Sequence, residues 1–226
     1  MAQTLKSRFR DFERAMRRRY GRDISTPEAR RQAWWHFQLM DHAFLRVVWW
    51  NIERIAPGVW RSNQPSPGRV KLYRGMGINS ILNLRGETNH SHYLFEREAC
   101  ENQGITLHDV TLSARKLASR ETLLELIELM RTAQKPYLFH CKSGSDRAGF
   151  AAVLYLAIIE GKPLKEARKQ LHWRFLHQSV GETGILDHVF DCYEAETAES
   201  GLSLEDWIRT EYDADRLTAS YREKSA

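Results

Sequence analysis

Cysteine is scarce in this chain. Cys100, Cys141 and Cys192 are the three cysteines among 226 residues, too few and too scattered for a disulfide framework or a paired-cysteine metal site. That points to a reducing compartment, where a thiol can work as a thiolate. Long apolar runs are lacking as well. The longest, Phe150 to Ile159, has ten residues, too short to cross a bilayer. Residues 1–22 lack the apolar centre of a secretory signal, so the cytoplasm is the expected location. Internal repeats and low-complexity tracts are also missing. One ordinary globular domain with extensions is expected.

Charge is unevenly placed. The chain carries +5 overall, and residues 1–22 alone hold eight Lys or Arg against Asp11 and Glu13. The basic excess therefore belongs to the leader, which reads as a solvated arm, a membrane-surface arm or a nucleic-acid arm. Of the 18 residues from Ala33 to Trp50, 13 are apolar, four of them Trp. Ser25-Thr26-Pro27-Glu28 supplies a helix start, and apolar residues at 33, 37, 40, 44 and 47 keep helical spacing. One covered helix is expected over this stretch. Its cover is either the domain's own surface or a bilayer interface, with tryptophans at headgroup level and the basic leader near anionic lipid. Nucleic acid is disfavoured, because aromatic and basic residues are not interleaved.

The middle of the chain alternates between strand and helix patterns. Val59 to Ser62 and Ile78 to Leu84 read as strands, as do Ile105 to Val110 and Tyr137 to His140. Helical patterns lie between them. Residues 120–133 place Leu123, Leu126, Ile127 and Met130 on one stripe. The fold class expected is α/β: a central, mostly parallel twisted sheet flanked by helices, with an N-terminal helical extension. Three parts follow: 1–50 as basic leader and apolar helix, 51–195 as the central domain, and 196–226 as an acidic helical tail. Pro163 to Phe175 reads as a helix with Gln170 on its polar side. His90, His92, His172 and His177 read as surface, capping or packing residues, since a metal site needs more ligands than these spacings offer.

One stretch carries chemistry. Tyr137-Leu138-Phe139-His140 leads into Cys141-Lys142-Ser143-Gly144-Ser145-Asp146-Arg147, and an apolar helix follows. A loop at a helix N-terminus offers unpaired amides and the positive end of the helix dipole, hence an anion site suited to phosphate. Gly144 allows unusual backbone angles, and Arg147 can grip two phosphate oxygens. A thiolate under such a phosphate is a nucleophile aimed at phosphorus. Taken singly, a cysteine at a strand end is more often a small buried hydrophobe, and a Gly/Ser stretch a plain turn. Neither explains why strand, glycine, arginine and helix coincide.

His140-Cys141-x5-Arg147 resembles the signature of the cysteine-dependent protein tyrosine and dual-specificity phosphatase superfamily. Trp60-Arg61-Ser62-Asn63-Gln64-Pro65-Ser66-Pro67 and Gly77 to Arg85 are similar to blocks of its compact atypical dual-specificity branch, found in bacteria, fungi and plants. The resemblance covers roughly Ile55 to Tyr193. It implies a phosphatase with a phosphocysteine intermediate, acting on a phosphoprotein or a phosphorylated lipid or inositol phosphate, with phosphate held by Lys142, Ser143, Gly144, Ser145, Asp146 and Arg147. No metal or organic cofactor is expected, because the loop itself supplies positive charge. Arg85, Arg115 and Lys116 are candidate substrate contacts.

Two departures stand out. Relatives place Ser or Thr after the arginine, where this chain has Ala148. They also supply an Asp from a loop about thirty residues before the cysteine. Asp109 lies 32 positions before Cys141 but within a strand pattern, and the loop from Thr111 to Ser119 has no carboxylate. Asp146 is the rival proton donor and the favoured one, since Cys-x-x-Gly-x-Asp-Arg resembles the loop of myotubularin and Sac-type phosphoinositide phosphatases. The alternative class is a catalytically weak, phosphate-binding pseudophosphatase or adaptor.

Overall fold

The computed structural model describes residues 21–225. The basic leader lies outside the described residues up to position 20. Residues cluster into two compact units. The first holds residues 21–50, Pro65–Met76 and Glu87–Ile105, and the second holds Asn51–Gln64, Gly77–Gly86 and the chain from Thr106 onward.

The second unit contains a five-stranded sheet ordered β1-β2-β5-β3-β4. Its strands are β1 (Glu53–Ala56), β2 (Val59–Asn63), β3 (Ser80–Asn83), β4 (Thr106–Asp109) and β5 (Tyr137–Cys141). Of the strand pairings, β1–β2 is antiparallel and the other three are parallel. The mostly parallel α/β fold expected from the alternating patterns is therefore present. β1 is an addition, since its four residues alternate too briefly to be read from sequence. β3 and β5 are buried along their whole length, as central parallel strands covered on both faces must be.

Helices of this unit complete its core. Ser119 caps α4 (Arg120–Thr132) by accepting from the Thr122 amide, and Leu123, Leu126, Ile127 and Met130 form the buried stripe. α5 (Asp146–Leu154) follows β5 and is buried from Ala148 onward. α7 (Ile185–Thr197), α8 (Leu204–Thr210) and α9 (Ala214–Ser225) add Ile185, Val189, Phe190, Trp207 and Leu217 to the same core, and Tyr212 joins it from the turn between α8 and α9. The end of the chain is thus packed structure and not merely an acidic tail. Trp207 is fully buried, and its Nε1 donates to Glu196 Oε2 at 2.8 Å. Trp207→Ala is expected to cost about 3–5 kcal/mol, read as a lowered urea midpoint with an unchanged m-value.

The first unit is helical: α1 (Pro27–Leu39), α2 (Pro67–Gly75) and α3 (Ser91–Gln103). The single helix expected over Ala33 to Trp50 is broken. α1 ends at Leu39, His42 takes a left-handed conformation, and a short 3-10 turn runs over Ala43–Val47. The break serves Asp41, which sits buried in an ion pair with Arg46 at 2.6 Å. Ala33, Phe37, Ala43 and Phe95 form a small core. Trp35, Phe44, Leu45, Val47 and Val48 stay exposed, Val48 by 89%. No helix among the described residues is long and apolar enough to cross a membrane.

Candidate active site

Parallel register aligns the carboxyl ends of four strands. Asn63 on β2 lies opposite Cys141 on β5, and Asn83 on β3 lies opposite both His140 and Asp109. This edge is where α/β sheets gather ligands. Residues 142–147 leave the sheet here, between β5 and α5.

Four consecutive carbonyls of that loop are held from outside. Lys142 O accepts from the Gln64 amide at 3.2 Å, and Ser143 O from Asn51 Nδ2 at 2.9 Å. Gly144 O accepts from Arg61 Nη2, and Ser145 O from both Arg61 Nη2 at 3.2 Å and the Gly149 amide at 2.9 Å. With the carbonyls turned outward, successive amides line the inner side as an anion-binding nest. Within the loop, the Ser145 amide also lies 3.4 Å from Ser143 Oγ. The Ser145 side chain does not cap α5, because its Oγ donates to Phe175 O at 2.7 Å. The first amides of α5 and its dipole are thus left for a ligand. Gly144 has φ +74, and a Cβ there would lie 2.8 Å from Asn63 N, so only glycine lets the loop pass so close to β2.

Arg61 is the main support. It is fully buried, donates through Nη1 to Gln170 O at 2.7 Å and Gln170 Oε1 at 2.8 Å, and stacks 3.9 Å from the Phe175 ring. Burial pulls its guanidinium down to about 10, against the opposing pull of Cys141 and Glu53. These contacts correct two expectations. Pro163 to Phe175 is not one helix but a short α6 (Leu164–Ala167) followed by 3-10 turns over Arg168–Gln170 and Trp173–Phe175. The carbonyls of Gln170 and Phe175 serve Arg61, Asn51 and Ser145 instead of a continuing helix. Gln170 is accordingly buried, not on a polar face.

The side chains expected to carry chemistry fall into distinct places. Cys141 is buried at the loop's start. Arg147 is half-buried, with one long contact from Nη1 to Leu112 O at 3.4 Å and a buried Nε lacking a hydrogen-bond partner. Its donors are largely uncommitted. Lys116 shares a small cleft with Arg147, lined also by Leu112, Ser113, Leu117 and Phe150. Arg85 reaches the loop through Gln64, whose Oε1 accepts from Arg85 Nη1 at 2.8 Å. Arg115 pairs instead with Glu182 at 3.0 Å, both side chains exposed. Asp109 ends β4 and accepts from Asn83 Nδ2 at 2.8 Å. Asp146 opens α5, with Oδ1 2.8 Å from His177 Nδ1.

His177 is the residue that sequence reasoning undervalued. Its imidazole is buried and bridges two carboxylates, with Nε2 2.7 Å from Asp187 Oδ2. Burial pulls its pKa down, but the hydrogen bonds with Asp146 and Asp187 outweigh that and raise it to about 9. The ring is therefore an imidazolium at neutral pH, donating to both acids. A pKa raised from the ordinary 6.5 to about 9 contributes stability fully below pH 6.5, lost as pH climbs through 9. The amount is roughly 3 kcal/mol. The melting temperature of the native chain should drop between about pH 6.5 and 9, and that drop should shrink in His177→Gln.

An amide-lined loop between a buried cysteine and an uncommitted arginine, at the carboxyl edge of a parallel sheet, defines the class of cysteine-dependent phosphatase domains. Residues 56–180, more than half of the chain, match the family model for the Swiss Army Knife protein, DSP-PTPase phosphatase domain, and the chain belongs to that family. It is similar to the dual specificity protein phosphatase TpbA of Pseudomonas aeruginosa, with 21% identity over 122 residues, 54% of this chain and 53% of TpbA. The chain thus spans about half the length of the curated relatives it matches. Among solved structures it resembles the core catalytic domain of the PP-IP phosphatase SIW14 from S. cerevisiae. The TM-score is 0.50 at 20% identity, covering 77% of this chain and 92% of that one. Tk-PTP, in a glycine-to-alanine mutant form, gives a TM-score of 0.50 at 22% identity, covering 65% of this chain and 96% of that one. At these identities the structures establish a shared fold.

Proposed function

We propose that the chain hydrolyses phosphate monoesters through a phosphocysteine intermediate. The observation that carries this is the set of four outward-held carbonyls from Lys142 to Ser145, which turns the loop into a nest of amides beside Arg147. Phosphate sits in loop 142–147, and Cys141 attacks phosphorus in line while the ester oxygen leaves. The amides and the Arg147 guanidinium stabilise the equatorial oxygens. Water then attacks the phosphocysteine and releases inorganic phosphate, regenerating the thiolate. Ala148 offers no hydroxyl to the departing sulfur, so the second step is the slow one. Phosphate release from an aryl phosphate, with a burst of one phenol per active site, tests this; a catalytically weak pseudophosphatase gives no such burst.

The proton donor to the leaving oxygen is Asp146 or Asp109, and leaving-group dependence separates them. The acid's Asp→Asn variant should lose about 10²–10⁴-fold on phenyl phosphate and far less on p-nitrophenyl phosphate, whose phenolate leaves without help. The other variant should show no such difference.

For substrate, the family and TpbA support phosphorylated proteins. Arg85 and Lys116 around the loop, with the match to the fold of a PP-IP phosphatase, support a polyanionic inositol phosphate or phospholipid. Initial rates across phosphopeptides, inositol phosphates and phosphoinositides decide between the classes. Peripheral contact with the inner membrane face is a second reading, favoured by the exposed apolar run of Trp35, Phe44, Leu45, Val47 and Val48 next to a basic leader. Flotation with anionic liposomes, lost on deleting residues 1–50, is the result it requires.

A further inference from the structure

Three residues that follow α5 hold the phosphate loop, directly or through Arg61 and Asn51. Gln170 and Phe175 offer carbonyls to Arg61, Asn51 and Ser145. His177 makes the one of these contacts that reaches an acidic side chain of the loop, Asp146. Asp146 is also the first residue of α5, so whatever fixes its side chain fixes the helix end whose amides face the anion. Asp187, ten residues further along on α7, anchors the other face of the same ring.

We infer that His177, clamped by Asp187, is a positioning residue that holds Asp146 and the start of α5 in the geometry needed to bind an oxyanion. The bridge has a defined polarity. A doubly donating imidazolium satisfies both acids, whereas a neutral ring has one N–H and must face one carboxylate as an acceptor. Acceptor against carboxylate oxygen at under 3 Å repels, so deprotonation releases one end of the bridge. The titratable groups facing the ring are Asp146 from α5 and Asp187 from α7, with the Arg61 charge acting on Asp146 from β2. The raised His177 pKa of about 9 is the consequence of this arrangement. Oxyanion binding should therefore weaken as pH passes that value, for a reason seated outside the loop.

This inference rests on loop 142–147 being an anion site, and the experiment keeps the two apart. Tungstate binding is measured by calorimetry on the full chain carrying Cys141→Ser, so that no thiol is present at the site. Tungstate is the fully deprotonated dianion in neutral and alkaline solution, so the ligand does not titrate either. The expected result is affinity that falls about tenfold or more around pH 9. Adding His177→Gln should lower affinity about tenfold at pH 7 and flatten the profile. Asp187→Asn, which leaves the Asp146 contact in place, should keep binding at pH 7 and move the fall to lower pH. Equal affinity and an unchanged profile in His177→Gln would overturn the positioning role while leaving the anion site intact. A folded His177→Gln with wild-type pH dependence but uniformly weaker binding would overturn it too, since a general packing defect acts that way. Absence of tungstate binding at pH 7 before His177 is altered would overturn both this role and the anion site beneath it.

Discussion

Cys141→Ser is expected to abolish turnover, by about 10⁴-fold or more, while tungstate or vanadate still binds within a few-fold of the native affinity. The two halves of this result come from different atoms. Serine's hydroxyl stays protonated at neutral pH, and the described residues around the loop do not place a general base on it as a serine hydrolase would. The anion, in contrast, is held by amides and Arg147, whose arrangement depends on carbonyl contacts that the substitution does not touch. Cys141 is buried, and serine is slightly smaller, so the loop accommodates the exchange. Single-turnover hydrolysis of an aryl phosphate measures the first half and calorimetry the second. Retained turnover would mean that phosphorus is attacked by something other than this sulfur.

Gly144→Ala has the second large effect, for steric reasons. At φ +74 an L-residue is strained by about 1–2 kcal/mol. More serious is the neighbourhood. The added Cβ would fall 2.8 Å from Asn63 N and 2.9 Å from Ser62 C and O, all main-chain atoms of β2. A strand paired on both sides cannot step back, so the loop must. Displacement by about 1 Å is enough to cost about 10²-fold in rate, and kcat/KM should fall by at least that much. Gly161→Ala is the control: φ is also positive, at +65, but nothing lies within 4 Å of its Cβ. It should cost about 1 kcal/mol of stability and leave kcat/KM unchanged. Parallel kinetics and thermal melts on the two variants separate loop displacement from simple backbone strain.

How much of this is legible in the sequence depends on how local each signal is. Sheet strands β2 to β5 and helix α4 announce themselves through short apolar runs and one clean stripe, with turn residues between. The loop from Cys141 to Arg147 is equally local, since its strand, glycine and helix are contiguous. Its supports are not. Arg61 contacts Gly144 across 83 positions and Gln170 across 109, and His177 meets Asp146 across 31. Nothing in their immediate neighbours says that these charges are buried. An arginine between Trp60 and Ser62 in a strand destined for the sheet is the one available hint. The same non-local pull explains the wrong helix over Pro163 to Phe175, where apolar spacing favours a helix and buried donors elsewhere claim its carbonyls. The broken helix after Leu39 has a parallel cause in the Asp41–Arg46 pair, whose burial no periodicity reveals.

Trapping the intermediate tests the central claim most directly. The native chain is mixed with excess aryl phosphate, quenched within one turnover, digested, and the peptide containing Cys141 is weighed. A phosphoryl group on the Cys141 sulfur, appearing with the phenol burst and absent from Cys141→Ser, is the predicted result. Full turnover with no adduct at Cys141, or with phosphate on another residue, would contradict it.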